Sequence, residues 1–139
     1  MIITAIDSNI LIDILFNDQE FAADSAAALT SSSMQGAVVI CSVVIAEVAG
    51  YFPHTDEAQK FLSGIDAGIT SLDAKGAISA GQIWRHRSQK DRTRILPDYI
   101  VAAHAVEFAD RLLTRDAGFT RMKVPGLVVI TPLDVLRGV

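Results

Sequence analysis

Short apolar runs alternate along the chain with stretches whose apolar residues recur at helical spacing. The pattern predicts a buried strand over Ile2–Ile6 and a helix over Ser8–Phe16. A second helix covers Gln19–Ser32, fading in the Ser31-Ser32-Ser33 run and ending before Gly36. Ala37–Cys41 is the next strand. Ser42 then N-caps a helix through Ala49, with Gly50 and Pro53 closing the segment. Thr55–Ile65 reads as helix, Ile69–Leu72 as a short strand and Ala74–Gln89 as a long helix. Pro97 stands in the first turn of a helix that runs to Phe108. A strand over Arg111–Thr114, a short helix after Asp116, a strand over Leu127–Ile130 and a last helical turn at Leu133–Leu136 complete the chain.

Strands and helices in regular alternation imply the α/β class. The expected architecture is a three-layer α/β/α sandwich whose central sheet is mostly parallel. Right-handed crossovers then decide which residues meet, and sites in such sheets lie beyond the carboxyl ends of the strands. On this topology four acids converge. Asp7 follows the first strand and Asp116 follows Arg111–Thr114. Glu47 lies in the second turn of the helix that leaves Ala37–Cys41, near the same edge. Asp98 opens a helix that feeds a parallel strand, so its end of that helix is at this edge too. An antiparallel sheet would undo the convergence.

The four acids also have unusual neighbours. Val43, Val44, Gly50 and Tyr51 flank Glu47 at helical spacing, and Val101 and Ala102 flank Asp98. Asp7 ends an apolar strand, and Asp116 closely follows Leu112-Leu113. Taken singly, each has an ordinary explanation. Asp7 and Asp116 can cap helices, Asp98 can complement a helix dipole, and Glu47 can reach solvent from a helix edge. Four at one rim are harder to explain that way. Clustered carboxylates repel unless a proton or a cation sits among them. Oxygen-only ligands favour Mg²⁺ or Mn²⁺, and carboxylate-held metal is a recurring device for phosphodiester hydrolysis.

Composition narrows the alternatives. The 139 residues are 50% hydrophobic, which suits one domain spanning 1–139 with a filled core. A single cysteine, Cys41, forms no internal disulfide, and three scattered histidines at 54, 86 and 104 write no zinc cluster. No basic region or targeting segment precedes Asp7. The longest apolar run, Ala37 to Gly50, contains Glu47 and falls short of the roughly 20 residues that span a bilayer. A soluble protein of the reducing cytoplasm is expected, with no membrane partner. Net charge is −4 but unevenly placed. Residues 1–73 hold ten Asp/Glu against one Lys, and residues 74–139 hold six against eleven Lys/Arg, so the two parts carry −9 and +5. Arg85, Arg87, Lys90, Arg92 and Arg94 fall within ten positions, with Asp91 among them. This stretch is a candidate nucleic-acid surface through phosphate contacts, or else a solvated helix end and loop.

Four segments resemble the PIN-domain family: Asp7-Ser8-Asn9-Ile10-Leu11-Ile12, Val44-Ile45-Ala46-Glu47-Val48, Pro97-Asp98-Tyr99-Ile100-Val101-Ala102-Ala103-His104-Ala105 and Leu112-Leu113-Thr114-Arg115-Asp116-Ala117-Gly118-Phe119. Each alone is weak, but four in order and register over nearly the whole chain are specific. The closing stretch Pro125–Ile130 and the chain's size are similar to VapC-type toxins of toxin–antitoxin pairs. The resemblance implies that Asp7, Glu47, Asp98 and Asp116 hold Mg²⁺ or Mn²⁺ and cut RNA, leaving 5′-phosphate and 3′-hydroxyl ends. It gives supporting roles to Asn9, which would orient a carboxylate, and to Thr114, which would hydrogen-bond a ligand or water. Both also have plain readings, as a helix-start polar residue and a strand-end threonine. A cognate antitoxin protein and a homodimer are further implications. Asp13, one turn beyond Asn9, reads as a surface acid. No core family position carries a disabling residue.

Three competitors remain. A PIN nuclease of RNA processing keeps the fold and drops the toxin role. A phosphoaspartyl phosphatase of the haloacid-dehalogenase kind would need an acid where Asn9 stands, and it gives no reason for Glu47. A non-catalytic RNA-binding or receiver-like module does not explain why four acids are kept. No phosphate-binding loop of the G-x-x-x-x-G-K type is present.

Overall fold

In the computed structural model, which describes residues 1–138, the elements follow in the expected alternation. They are β1 (Thr4–Ile6), α1 (Ser8–Leu15), α2 (Ala22–Gln35), β2 (Val38–Cys41), α3 (Ser42–Ala49), α4 (Thr55–Ser63), β3 (Gly68–Thr70), α5 (Ala74–Arg85), α6 (Leu96–Phe108), β4 (Arg111–Leu113), β5 (Val129–Ile130) and α7 (Pro132–Leu136). Two 3₁₀ turns, Gln89–Asp91 and Ala117–Met122, lie before α6 and after β4.

The five strands form one sheet in the order β3-β2-β1-β4-β5, and every pairing is parallel. The expected mostly parallel sheet is therefore wholly parallel among the described residues. β1 is central and fully buried, with Ala5 opposite Val39 on one side and Leu112 on the other. The chain steps from β1 outward through β2 to β3, then crosses back to β4. Right-handed crossovers put the connecting helices of these two movements on opposite faces. α1, α2 and α7 pack together as one helical layer, and α5 packs on α6 as the other. Ile6, Ile10, Leu11, Ile40, Val44, Leu112 and Leu113, each at most 2% exposed, form the core between them. Burying a side chain of this kind contributes about 1.5–3 kcal/mol.

Local differences from the sequence reading have physical causes. β1 starts at Thr4 instead of Ile2, because Ile2 sits at the exposed start of the chain. α2 runs on through the serine triplet to Gln35, since Ser32 turns inward beneath the Arg111 guanidinium. β3 is an edge strand shifted to Gly68–Thr70 by its pairing with β2, and this leaves Ile69 63% exposed. α5 ends at Arg85, not Gln89, where His86 Nδ1 and Arg87 both bond back to carbonyls of the last turn. α7 begins one residue early because Thr131 and Asp134 form a capping box, with Pro132 in the first turn.

Candidate functional site

At the carboxyl ends of β1 and β4 three side chains are tied together. Asp7 caps α1 by accepting from the Ser8 backbone N–H at 2.8 Å. Its Oδ2 accepts from the Thr114 hydroxyl at 2.7 Å and from Asn9 Nδ2 at 3.3 Å. Asn9 Nδ2 also donates to Thr114 Oγ1 at 3.1 Å, and Asn9 Oδ1 accepts from the Arg115 backbone N–H at 3.2 Å. Asp7 is thus both a helix cap and a member of a buried hydrogen-bond network.

Asp116 ends the same loop from β4 and caps the following 3₁₀ turn, accepting from Gly118 N at 2.9 Å. Arg94 reaches it from the loop before α6 with a two-pronged contact, Nη1 to Oδ2 at 2.5 Å and Nη2 to Oδ1 at 2.8 Å. Asp98, in the first turn of α6, lies 3.5 Å from the same guanidinium. Glu47 stands on α3 one residue before buried Val48, and it is the most exposed of the four acids.

Like-charge repulsion links the acids pairwise. Burial pushes the Asp7 carboxyl up, and the negative charges of Asp98 and Asp116 push the same way against the Thr114 and Ser8 hydrogen bonds. Burial also raises Glu47, with Asp7 and Asp98 adding repulsion. Asp98 is raised by burial despite the opposing pull of Arg94. Asp116 goes the other way, because Arg94's hydrogen bonds hold it below the ordinary carboxylate range. One side of the rim is therefore neutralised by an arginine and the other carries unrelieved negative charge. The donor set is all oxygen, which fits a hard divalent ion such as Mg²⁺ or Mn²⁺. Among the described residues, no three acidic, histidine or cysteine side chains are gathered closely enough to hold a metal as they stand. Arg94 is the group between Asp98 and Asp116.

Residues 4–125 match the sequence model of the PIN domain, which is most of the chain. The chain belongs to the PIN-domain family. PIN domains are generally nucleases and generally use divalent metals. No curated protein sequence matches significantly. Solved structures share the PIN fold at low identity. A chain of VapBC2 from Rickettsia felis, bound to a promoter DNA fragment, superposes with TM-score 0.72 at 21% identity, covering 93% of this chain and 98% of that one. A chain of DNA-bound VapBC from Salmonella typhimurium gives 0.68 at 18%, covering 95% and 99%. A chain of FitAcB from Neisseria gonorrhoeae gives 0.67 at 18%, covering 94% and 98%. Among the described residues no helix of this PIN chain is long and apolar enough to cross a membrane.

The basic stretch divides. Arg85, Lys90 and Arg92 are exposed. Arg87 lies over the Trp84 ring at 4.7 Å and donates to the Trp84 carbonyl at 2.8 Å. Arg94 turns inward to the acids. The expectation of a surface position for Asp13 is corrected: it is 4% exposed. It accepts from Arg115 Nε at 2.6 Å, from Arg115 Nη2 at 2.7 Å and from the Ser25 hydroxyl at 2.8 Å. α1 is covered by α2 on this side, so the second-turn acid becomes interior once its partner arrives from the loop after β4. Arg94's place among the acids was missed. Its spacing four residues before Asp98, a helical ion-pair spacing, was the available signal.

Proposed function

We propose that this PIN domain is a metal-dependent endoribonuclease that hydrolyses RNA phosphodiester bonds, and that it is the toxin of a toxin–antitoxin pair. The observation that carries the catalytic reading is the rim at the carboxyl ends of the parallel strands: Thr114 ties Asp7 to the Asp116 backbone, Arg94 bridges Asp116 and Asp98, and Glu47 stands on the helix that leaves β2. The toxin reading rests on neighbours that come from VapBC and FitAB assemblies, which supports a cognate antitoxin partner; a homodimer and a cytoplasmic setting belong to the same proposal.

Asp7, Glu47, Asp98 and Asp116 would hold Mg²⁺ or Mn²⁺. When bound, the ion supplies Lewis acidity toward a water and a phosphate oxygen. Thr114 and the Ser8 N–H fix the Asp7 carboxylate in one orientation, and Asn9 Nδ2 braces Asp7 and Thr114 together. Glu47, exposed on α3, would offer its carboxylate to the ion from the solvent side. Exposed Arg85, Lys90 and Arg92 draw the RNA backbone toward an otherwise repulsive rim.

The test is induced expression in a bacterial host with sequencing of new RNA 5′ ends, parent beside Asp7→Asn. Discrete new 5′-phosphate ends in the parent alone are expected. The same ends in both, or none in either, would overturn the reading.

A further inference from the structure

Arg94 occupies a built seat. Its guanidinium bridges both oxygens of Asp116 and reaches Asp98, and the Phe119 ring lies 5.3 Å from its Cζ. Gly118 leaves the space the guanidinium fills: a Cβ built there would overlap Nη2 and lie 2.7 Å from Cζ. The backbone that delivers Arg94 is anchored as well. Arg94 N donates to the Asp91 carbonyl at 2.9 Å, and the buried Asp91 carboxylate accepts from the Ser88 hydroxyl at 3.2 Å. An exposed arginine finding a nearby acid needs none of these features.

The carboxylate oxygens that Arg94 engages are the ones a divalent ion would need on that side of the site. A planar, permanently charged, two-pronged donor satisfies them in the ion's place. We propose that Arg94 is an internal counter-cation: in the metal-free chain it holds Asp98 and Asp116, and a divalent ion must displace it from them to bind. This rests on the reading of the four acids as a metal site. It accounts for the lack of a ready-made metal cage among the described residues, since both Asp116 oxygens already have a cationic partner that also reaches Asp98. Apparent metal affinity is then the intrinsic affinity scaled by the fraction of molecules with Arg94 withdrawn.

Calorimetric titration of Mn²⁺ into the parent, Arg94→Gln, Arg94→Lys and Asp7→Asn tests this, with metal-free thermal melts alongside. Arg94→Gln should bind Mn²⁺ about tenfold more tightly, while its metal-free form melts at a lower temperature. Arg94→Lys keeps the charge and is the gentler change for folding. A single ammonium cannot bridge both Asp116 oxygens, so its affinity should also rise, by less. Unchanged or weaker Mn²⁺ binding in the folded Arg94 variants overturns the inference while Asp7→Asn still abolishes binding. If all four proteins bind Mn²⁺ alike, or none binds it, the metal-site reading fails and the inference with it.

Discussion

The Thr114 hydroxyl donates to Asp7 Oδ2 at 2.7 Å, while the same oxygen accepts from Asn9 Nδ2 at 3.1 Å and from the Asp116 backbone N–H at 3.0 Å. One fully buried hydroxyl therefore uses its whole capacity, one donor and two acceptors, to lock the end of β1 to the end of β4. Thr114→Val keeps the shape and removes all three bonds. Leaving the buried partners unpaired should cost about 1–3 kcal/mol, read by urea denaturation. Cleavage should fall as well, because Asp7 loses both its orientation and a hydrogen bond that favours its charged form. Parent-like stability and activity would remove Thr114 from the network's role.

Glu47→Gln should raise the melting temperature of the metal-free protein near neutral pH. The folded-state pKa of Glu47 is raised by burial and by Asp7 and Asp98, so its ionised form costs stability above that raised value. Below the ordinary glutamate range the carboxyl is protonated folded or unfolded, and the advantage of Gln should vanish. Melts of parent and variant across that window check the sign. A variant that loses stability at neutral pH would mean that Glu47 is held by partners and not repelled.

Mn²⁺ or Mg²⁺ should raise the melting temperature, with a gain of about 2.7 kcal/mol when free metal is 100 times its dissociation constant. An Asp7→Asn, Asp116→Asn double variant should lose most of that gain. Asp56→Asn, on the exposed side of α4, should keep it. An equal metal shift in the double variant would place the principal site elsewhere.

Changing exposed Arg85, Lys90 and Arg92 together to Ala should weaken RNA binding and flatten its salt dependence. Each single-strand phosphate that the protein ceases to neutralise reduces the slope of log affinity against log salt by about 0.7. An unchanged slope, measured by titration at several salt concentrations, would return these residues to ordinary surface.

Asp13→Asn should destabilise the fold by about 1–3 kcal/mol, since it leaves Arg115 without its charge partner beside a buried amide. Arg115 is partly solvated, which keeps the cost below that of a fully buried pair. Urea denaturation gives the number, and a neutral result would mean that the Ser25 and Phe21 interactions suffice alone.

The sheet, and the placing of Asp7 and Asp116 at the ends of neighbouring strands, were legible because each rests on order along the chain. A strand followed by Asp7, a helix opened by Asp98 and the rule for parallel crossovers fix the rim without any side-chain detail. Asp13 and Arg94 were not legible in the same way. Their environments depend on partners far along the chain or across a loop, Arg115 for one and Asp116 for the other. Periodicity records which face of α1 is apolar, but not that an arginine 102 positions later will neutralise an acid on that face. The basic cluster shows the opposite error of scale. It was visible as a group, yet only the fold separates an inward arginine from outward ones.

A wholly parallel sheet has no hairpins, so every strand pair is closed by a long excursion of the chain, and β1 at the centre waits longest for its second neighbour. The Asp7–Thr114 hydrogen bond closes across 107 positions. Domains built from such distant pairings fold more slowly than those built from local ones. They also give a growing chain no partial product: while the polypeptide lengthens on the ribosome, the acids of its early part stay inert carboxylates until β4 has emerged to meet β1. On the nuclease reading proposed above, the topology would act as a timing device, deferring activity until β4 is made and paired with β1.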